Sequence, residues 1–192
     1  PAVFDYKKLE YYNGNYIRML SDEELYKWTL PFITGTGDAA LEINPENPQP
    51  APKVGPEYSG IALGEDGEPV CVDKSMNMSS AEVKAKLMGL MPLIKERLKY
   101  LTDAAEMVRF LFTEPAVPPV DQIVPKKLDA AKTKEVLEKS KEFVKALPGL
   151  EHEAQEELAK KMAEEMGIKL GDFMMPIRMA VTGSRVSPPL MG

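Results

Sequence analysis

Residues 168–190 read IKLGDFMMPIRMAVTGSRVSPPL. The run from Leu170 is apolar at helical intervals and carries one basic residue, Arg178. Thr182-Gly183 then supplies a helix stop, and Arg185 precedes the two prolines Pro188 and Pro189. The spacing predicts a helix from near Leu170 to Thr182, followed by a stiff turn almost free of acids, in a chain whose formal charge is −6.

Working backwards, Ala154, Leu158, Met162 and Met166 step by four along a helix that Gly167 should end. Val136, Leu137, Ser140, Phe143, Val144 and Leu147 share one face of the helix before it. Ser21 with Glu24, and Ser79 with Glu82, have the spacing of a capping box, and Thr102-Asp103 offers another helix start. FDYKKLEYYNG reads as a short helix stopped by Asn13-Gly14. Gly89 and Pro92 predict a break in VKAKLMGLMPLIKERLKYL. Roughly seven or eight helices with no repeating βα pattern predict an all-α architecture.

Residues 35–78 stand apart. They hold six prolines, six glycines, eight acids and two bases, leaving 22 acids and 22 bases elsewhere. This stretch reads as an acidic insertion, and deleting residues 38–74 should leave the helical fold intact. Within it, SGIALGEDGEPVCVD places apolar residues either side of Asp66-Gly67, the pattern of a small β-hairpin, and INPENPQPAPKVGP reads as extended and mobile.

Composition narrows the function. No apolar run is long enough to span a bilayer, and the start of the chain lacks a secretory signal, so the expected home is the cytoplasm with no membrane contact. Without an initiator Met, the chain is expected to be a fragment or a processed product. One Cys and one His give no metal site and no obvious catalytic set. Cys71 and His152 could be paired as nucleophile and base, but Cys71 reads as a small apolar strand residue and His152 as a solvated residue in a helix's first turn. The 12 methionines fit ordinary core packing, or alternatively a groove that takes a partner helix.

Three stretches together are specific: PAVFDYKKL with the following YYNGNYIR, LIKERLKYLTDAAEMVRFLF at 93–112, and the stretch at 168–190. In this order they resemble the C-terminal part of bacterial glutamyl-tRNA synthetases. The resemblance implies that 1–20 is the end of a stem-contact domain. It makes 21–110 a first helical anticodon-binding subdomain, containing the 35–78 insertion, and 111–192 a second one that stops short of the family's usual length. It also implies a parent ligase that attaches glutamate to tRNA(Glu) with ATP and Mg2+. The HIGH and KMSKS signatures of that catalytic domain do not occur in this sequence, so no catalytic residue and no cofactor are expected here.

The family's base-reading residues map by motif to Arg97, Arg178, Ser187 and Leu190, making the expected partner the anticodon loop of tRNA(Glu), bound by a monomer. Cytosine offers N3 and O2 as acceptors to a guanidinium fork, whereas guanine presents N–H donors, so Arg97 suits an anticodon ending in C. On local sequence alone, Arg97 would instead pair with Glu96 or Asp103. Pro188 and Pro189 give a low-entropy wall for a splayed base, or simply terminate a helix. Lys84, Lys86, Lys95, Lys99, Arg109, Lys169 and Arg185 are candidates for phosphate contacts. The Tyr11-Tyr12 pair departs from the family pattern, where Trp is common.

Overall fold

The computed structural model describes residues 5–37, 53–115 and 117–191; most of the extended run expected at 43–56 lies outside them. Two compact units follow one another, Pro1–Glu114 and Pro115–Gly192. The described architecture is helical with one two-stranded hairpin.

In the first unit, α1 (Tyr6–Met19) is capped by Asp5, whose carboxylate accepts from the amides of Lys7 and Lys8. It does not stop at Asn13-Gly14. Ile17 is buried one turn further on, and Gly14 brings the helix backbone close to the Leu98 carbonyl. Packing therefore carries the helix through a local stop signal. α2 (Asp22–Thr34) and α4 (Ser80–Lys95) each begin with the expected capping box, at Ser21–Glu24 and Ser79–Glu82. α4 runs unbroken through Gly89 and Pro92. Both face solvent, while Val83, Leu87, Met91 and Ile94 form an uninterrupted buried stripe, so the amide lost at Pro92 falls on the wet side of the helix.

The Ser79 box carries a pH signature. Bonds from the Ser79 hydroxyl and then its backbone amide hold the Glu82 carboxyl below its ordinary 4.5. A lowered folded-state value contributes stability that is present above the unfolded value and lost as the pH falls through the folded one. Ser79→Ala is expected to cost about 1 kcal/mol at pH 7 by urea denaturation. The gap from wild type should narrow below pH 4.5; a gap independent of pH would contradict the box.

Between α2 and α4, the four-residue α3 (Pro56–Ser59) leads into β1 (Ile61–Leu63) and β2 (Pro69–Cys71), an antiparallel pair in register Ile61 with Cys71. The turn spans Gly64–Glu68, with Gly67 in the left-handed region, so the expected hairpin is present. Its role differs from that of a removable insertion. Ile61 and Cys71 point to the same face and are buried with Ile33, Leu87 and Phe112 in one core. The Ser59 hydroxyl donates to the Ile33 carbonyl at 2.7 Å, and the Ser80 hydroxyl to Pro69 at 2.9 Å. Alternation in a short strand puts two residues into a core even where the overall composition is that of a loop. A 3-10 turn (Leu101–Asp103) and α5 (Ala104–Arg109) complete the unit.

The second unit comprises the four-residue α6 (Val120–Ile123), α7 (Ala130–Ala146), α8 (His152–Glu165) and α9 (Leu170–Thr182). Gly167 and Gly183 take left-handed conformations just past α8 and α9, as the sequence predicts. Val136, Phe143, Ala159, Met162, Ala163, Met166, Phe173 and Ile177 form its core, and the Phe143 and Phe173 rings meet edge to face at 5.7 Å. Val144, placed on the buried face by its spacing, is 44% exposed. It lies at the margin of a stripe centred on Val136, Ser140 and Phe143. Met91, Met107, Met162, Met166 and Met179 are buried, which is ordinary core packing.

Candidate nucleic-acid interface

α4 ends in a tight turn: the amides of Arg97 and Leu98 both donate to the Ile94 carbonyl, at 2.8 and 3.1 Å. Ile94 and Leu98 are buried, so Arg97 between them is turned outward and exposed. The turn is held from both sides. The Asn13 side-chain amide donates to the Lys99 carbonyl, and the Asp103 carboxylate accepts from the amides of Lys99 and Tyr100 at 3.1 and 3.0 Å. Burial pushes the Asp103 carboxyl up, against the lowering effect of those two bonds.

A cleft of about 330 Å³ opens between this turn and α1, with Lys7, Tyr11, Gly14 and Arg18 on the α1 side. Glu10 pairs with Lys99 at 3.3 Å and Glu96 approaches Arg18 at 4.0 Å. The carboxylates that local sequence offers to Arg97 are thus engaged elsewhere, Glu96 by Arg18 and Asp103 by backbone amides. Among the described residues, no carboxylate lies within ion-pair distance of Arg97 or Lys7.

In the second unit, Arg178 and the proline turn come together. Arg178 Nη1 donates to the carbonyls of Ser187 and Pro188, at 3.2 and 2.9 Å, and to the Ser187 hydroxyl. Thr182 ties down the preceding turn, donating to the Arg178 and Ser184 carbonyls at 2.8 and 3.0 Å. Ser187 is only 2% exposed and its hydroxyl also donates to Pro188, so this side chain braces the turn from within. Pro188 is buried, Pro189 and Leu190 are half-buried, and Leu190 packs against the core. The guanidinium thus holds a pre-shaped apolar ledge whose ordering cost has already been met within the fold.

Residues 63–192 match the family described as the anticodon binding domain. The chain belongs to this family. It is 48% identical over all 192 residues to a glutamate–tRNA ligase of Treponema denticola, covering 35% of that relative, and 40% identical over the same span to that of Treponema pallidum (strain Nichols), covering 33%. Over 190 residues it is 30% identical to the Borreliella burgdorferi glutamate–tRNA ligase, covering 31%. The chain therefore spans about a third of the length of these curated relatives.

In this anticodon-binding chain the seven candidate phosphate contacts divide by environment. Lys84 pairs with Glu68 at 2.8 Å, Lys95 is largely buried against Asp22, and the Arg109 guanidinium stacks 4.8 Å from the Tyr58 ring centroid; these three are engaged within the first unit. Lys99 shares its charge with Glu10, and Arg185 is exposed while donating to the Gln122 carbonyl at 3.1 Å. Lys86 and Lys169 are exposed, with no ion-pair partner among the described residues. The Cys71 thiol is buried beside Met76 and the Phe112 carbonyl, which removes it from solvent. His152 faces Glu156 at 4.0 Å on an exposed helix turn. Among the described residues no cluster could hold a metal ion, and no helix is long and apolar enough to cross a membrane.

The α1 side of the cleft is what reading for single motifs misses. Lys7, Tyr11, Gly14 and Arg18 are separated by four, three and four residues, one stripe of a helix. The sequence signal is present, but only the position of the 96–100 turn shows which stripe of α1 matters.

Proposed function

We propose that this chain is the anticodon-reading part of a glutamate–tRNA ligase that binds tRNA(Glu) as a monomer in the cytoplasm. The observation that carries this reading is Arg97: an exposed guanidinium without a carboxylate partner, on a turn fixed by Ile94, Leu98, Asn13 and Asp103. RNA loops are read by hydrogen bonds to the edges of unstacked bases, and a rigidly placed fork can donate to both N3 and O2 of cytosine. In the second unit, a splayed base would pack on Pro189 and Leu190 beside the Arg178 guanidinium. Glutamate activation with ATP and Mg2+ would belong to parts of the ligase outside the matched third.

The test is a binding titration with tRNA(Glu) and with a variant whose third anticodon base is changed from C to G. Wild type should prefer C by roughly 5- to 150-fold, corresponding to about 1–3 kcal/mol for a bidentate contact. Arg97→Gln should remove most of this preference while lowering total affinity less. An equal loss on both RNAs would place Arg97 on phosphate instead. Binding should also weaken steeply with salt; salt-insensitive binding to an amphipathic peptide would favour the partner-helix reading.

A further inference from the structure

We propose that α1 supplies a second nucleotide seat beside Arg97, in which the Tyr11 ring stacks on a base adjoining the one Arg97 reads, while Lys7 lies along its phosphates. This rests on the anticodon reading and adds residues to it.

Four observations converge on the same stripe. Tyr11 lines the cleft and is 64% exposed, an aromatic face left open to solvent. Its ring is propped by Tyr12, edge to face at 5.7 Å and 68°, which limits its freedom before any ligand arrives. Lys7 and Arg18 flank it on the same line of the helix, spanning ~16 Å from end to end, room for a short single strand. Arg18 donates to the Asn15 side chain and lies 4.0 Å from the Glu96 carboxylate at the other end of the stripe.

Charge selects the occupant. The cleft is lined by four cations, Lys7, Arg18, Arg97 and Lys99, and by two carboxylates, Glu10 and Glu96, each beside one of those cations. Lys7 and Arg97 are left over, a local excess of positive charge in a chain of net charge −6. An aromatic platform between unspent cations is the arrangement that holds single-stranded nucleic acid, with the base on the ring and the backbone on the charges. Gly14 completes the shape: where another residue would carry a side chain, α1 passes close to the Leu98 carbonyl, so Tyr11 and Arg97 line one cleft.

The probes are two stem-loop RNAs whose anticodon ends in C, with 2-aminopurine replacing either the second anticodon nucleotide or the nucleotide that follows the third. Wild type and Tyr11→Phe should quench the fluorescence of one of them. Tyr11→Ala should abolish that quenching and weaken binding by roughly tenfold or more, while keeping the preference for C at the third position. Lys7→Gln should reduce the salt slope by about one. Tyr11 is exposed, so a melting curve for Tyr11→Ala matching wild type checks that the fold survives.

Wild-type quenching in the Tyr11→Ala protein would overturn the seat and leave the anticodon reading standing. A wild-type chain that binds neither stem-loop would remove both. Displacement of the RNA by an equal concentration of a poly-glutamate peptide would also overturn the seat, since the cleft would then be reading charge alone.

Discussion

Gly60→Ala is expected to destabilise the first unit by about 2–5 kcal/mol. Gly60 sits at φ +80°, where an L side chain costs about 1–2 kcal/mol, and a methyl there would lie 2.4 Å from the Phe112 carbonyl oxygen and 2.7 Å from the Thr113 methyl. The first obstacle is backbone, so relief requires moving the segment that follows α5 away from the hairpin; forced overpacking of this kind adds about 1–3 kcal/mol. The Gly60 carbonyl also accepts from Val72 at 2.8 Å, so the shift would be felt across the sheet. Urea denaturation with hydrogen exchange on β1, β2 and α5 measures the effect. Gly67→Ala is the control: Gly67 has a similar φ, +78°, but nothing within 4 Å of the added carbon, so its cost should be confined to the backbone, about 1–2 kcal/mol. Equal losses at both positions would refute the close approach as the cause.

In the second unit the largest loss is expected from Phe173→Ala, about 3–5 kcal/mol, because truncating a fully buried aromatic removes both its burial and its packing partners. Phe173 joins α9 to α7 through its edge-to-face contact with Phe143. Against a total stability on the order of 5–15 kcal/mol, this removes much of what holds a small unit together. Amides of α7, α8 and α9 should lose exchange protection, and the ledge built on Arg178 should lose its shape. Exchange rates within twofold of wild type throughout these helices would show that Phe173 is not the link between them.

The two effects fall on parts of the sequence that differ in how openly they declare themselves. Capping boxes at Ser21 and Ser79, the glycine stops at Gly167 and Gly183, and the stripe centred on Val136, Ser140 and Phe143 could be read directly, because each depends on residues within one or two turns of one another. The resemblance of PAVFDYKKL, KERLKYL and PIRMAVTGSRVSPPL to glutamyl-tRNA synthetases pointed to the family for the same reason. Asn13-Gly14, Gly89 and Pro92 misled, since each is a true local stop signal overruled by a distant surface: Leu98 and Lys99 for the first, and the core under Val83, Leu87, Met91 and Ile94 for the others.

The same division runs through the candidate site. The sequence by itself determined that Arg178 stands on a helix shortly before its stop and that a proline turn follows, because helix periods and stops are local; that a helix ends just before Arg97 is a finding of the structure. Only the tertiary structure decided that Glu96 and Asp103 are engaged elsewhere, that Ser187 turns inward under Arg178, and that the Lys7–Tyr11–Arg18 line faces Arg97. These are contacts between residues up to about ninety positions apart, such as Asn13 with Lys99. Their geometry is fixed by which apolar faces are buried together, and no local pattern encodes that.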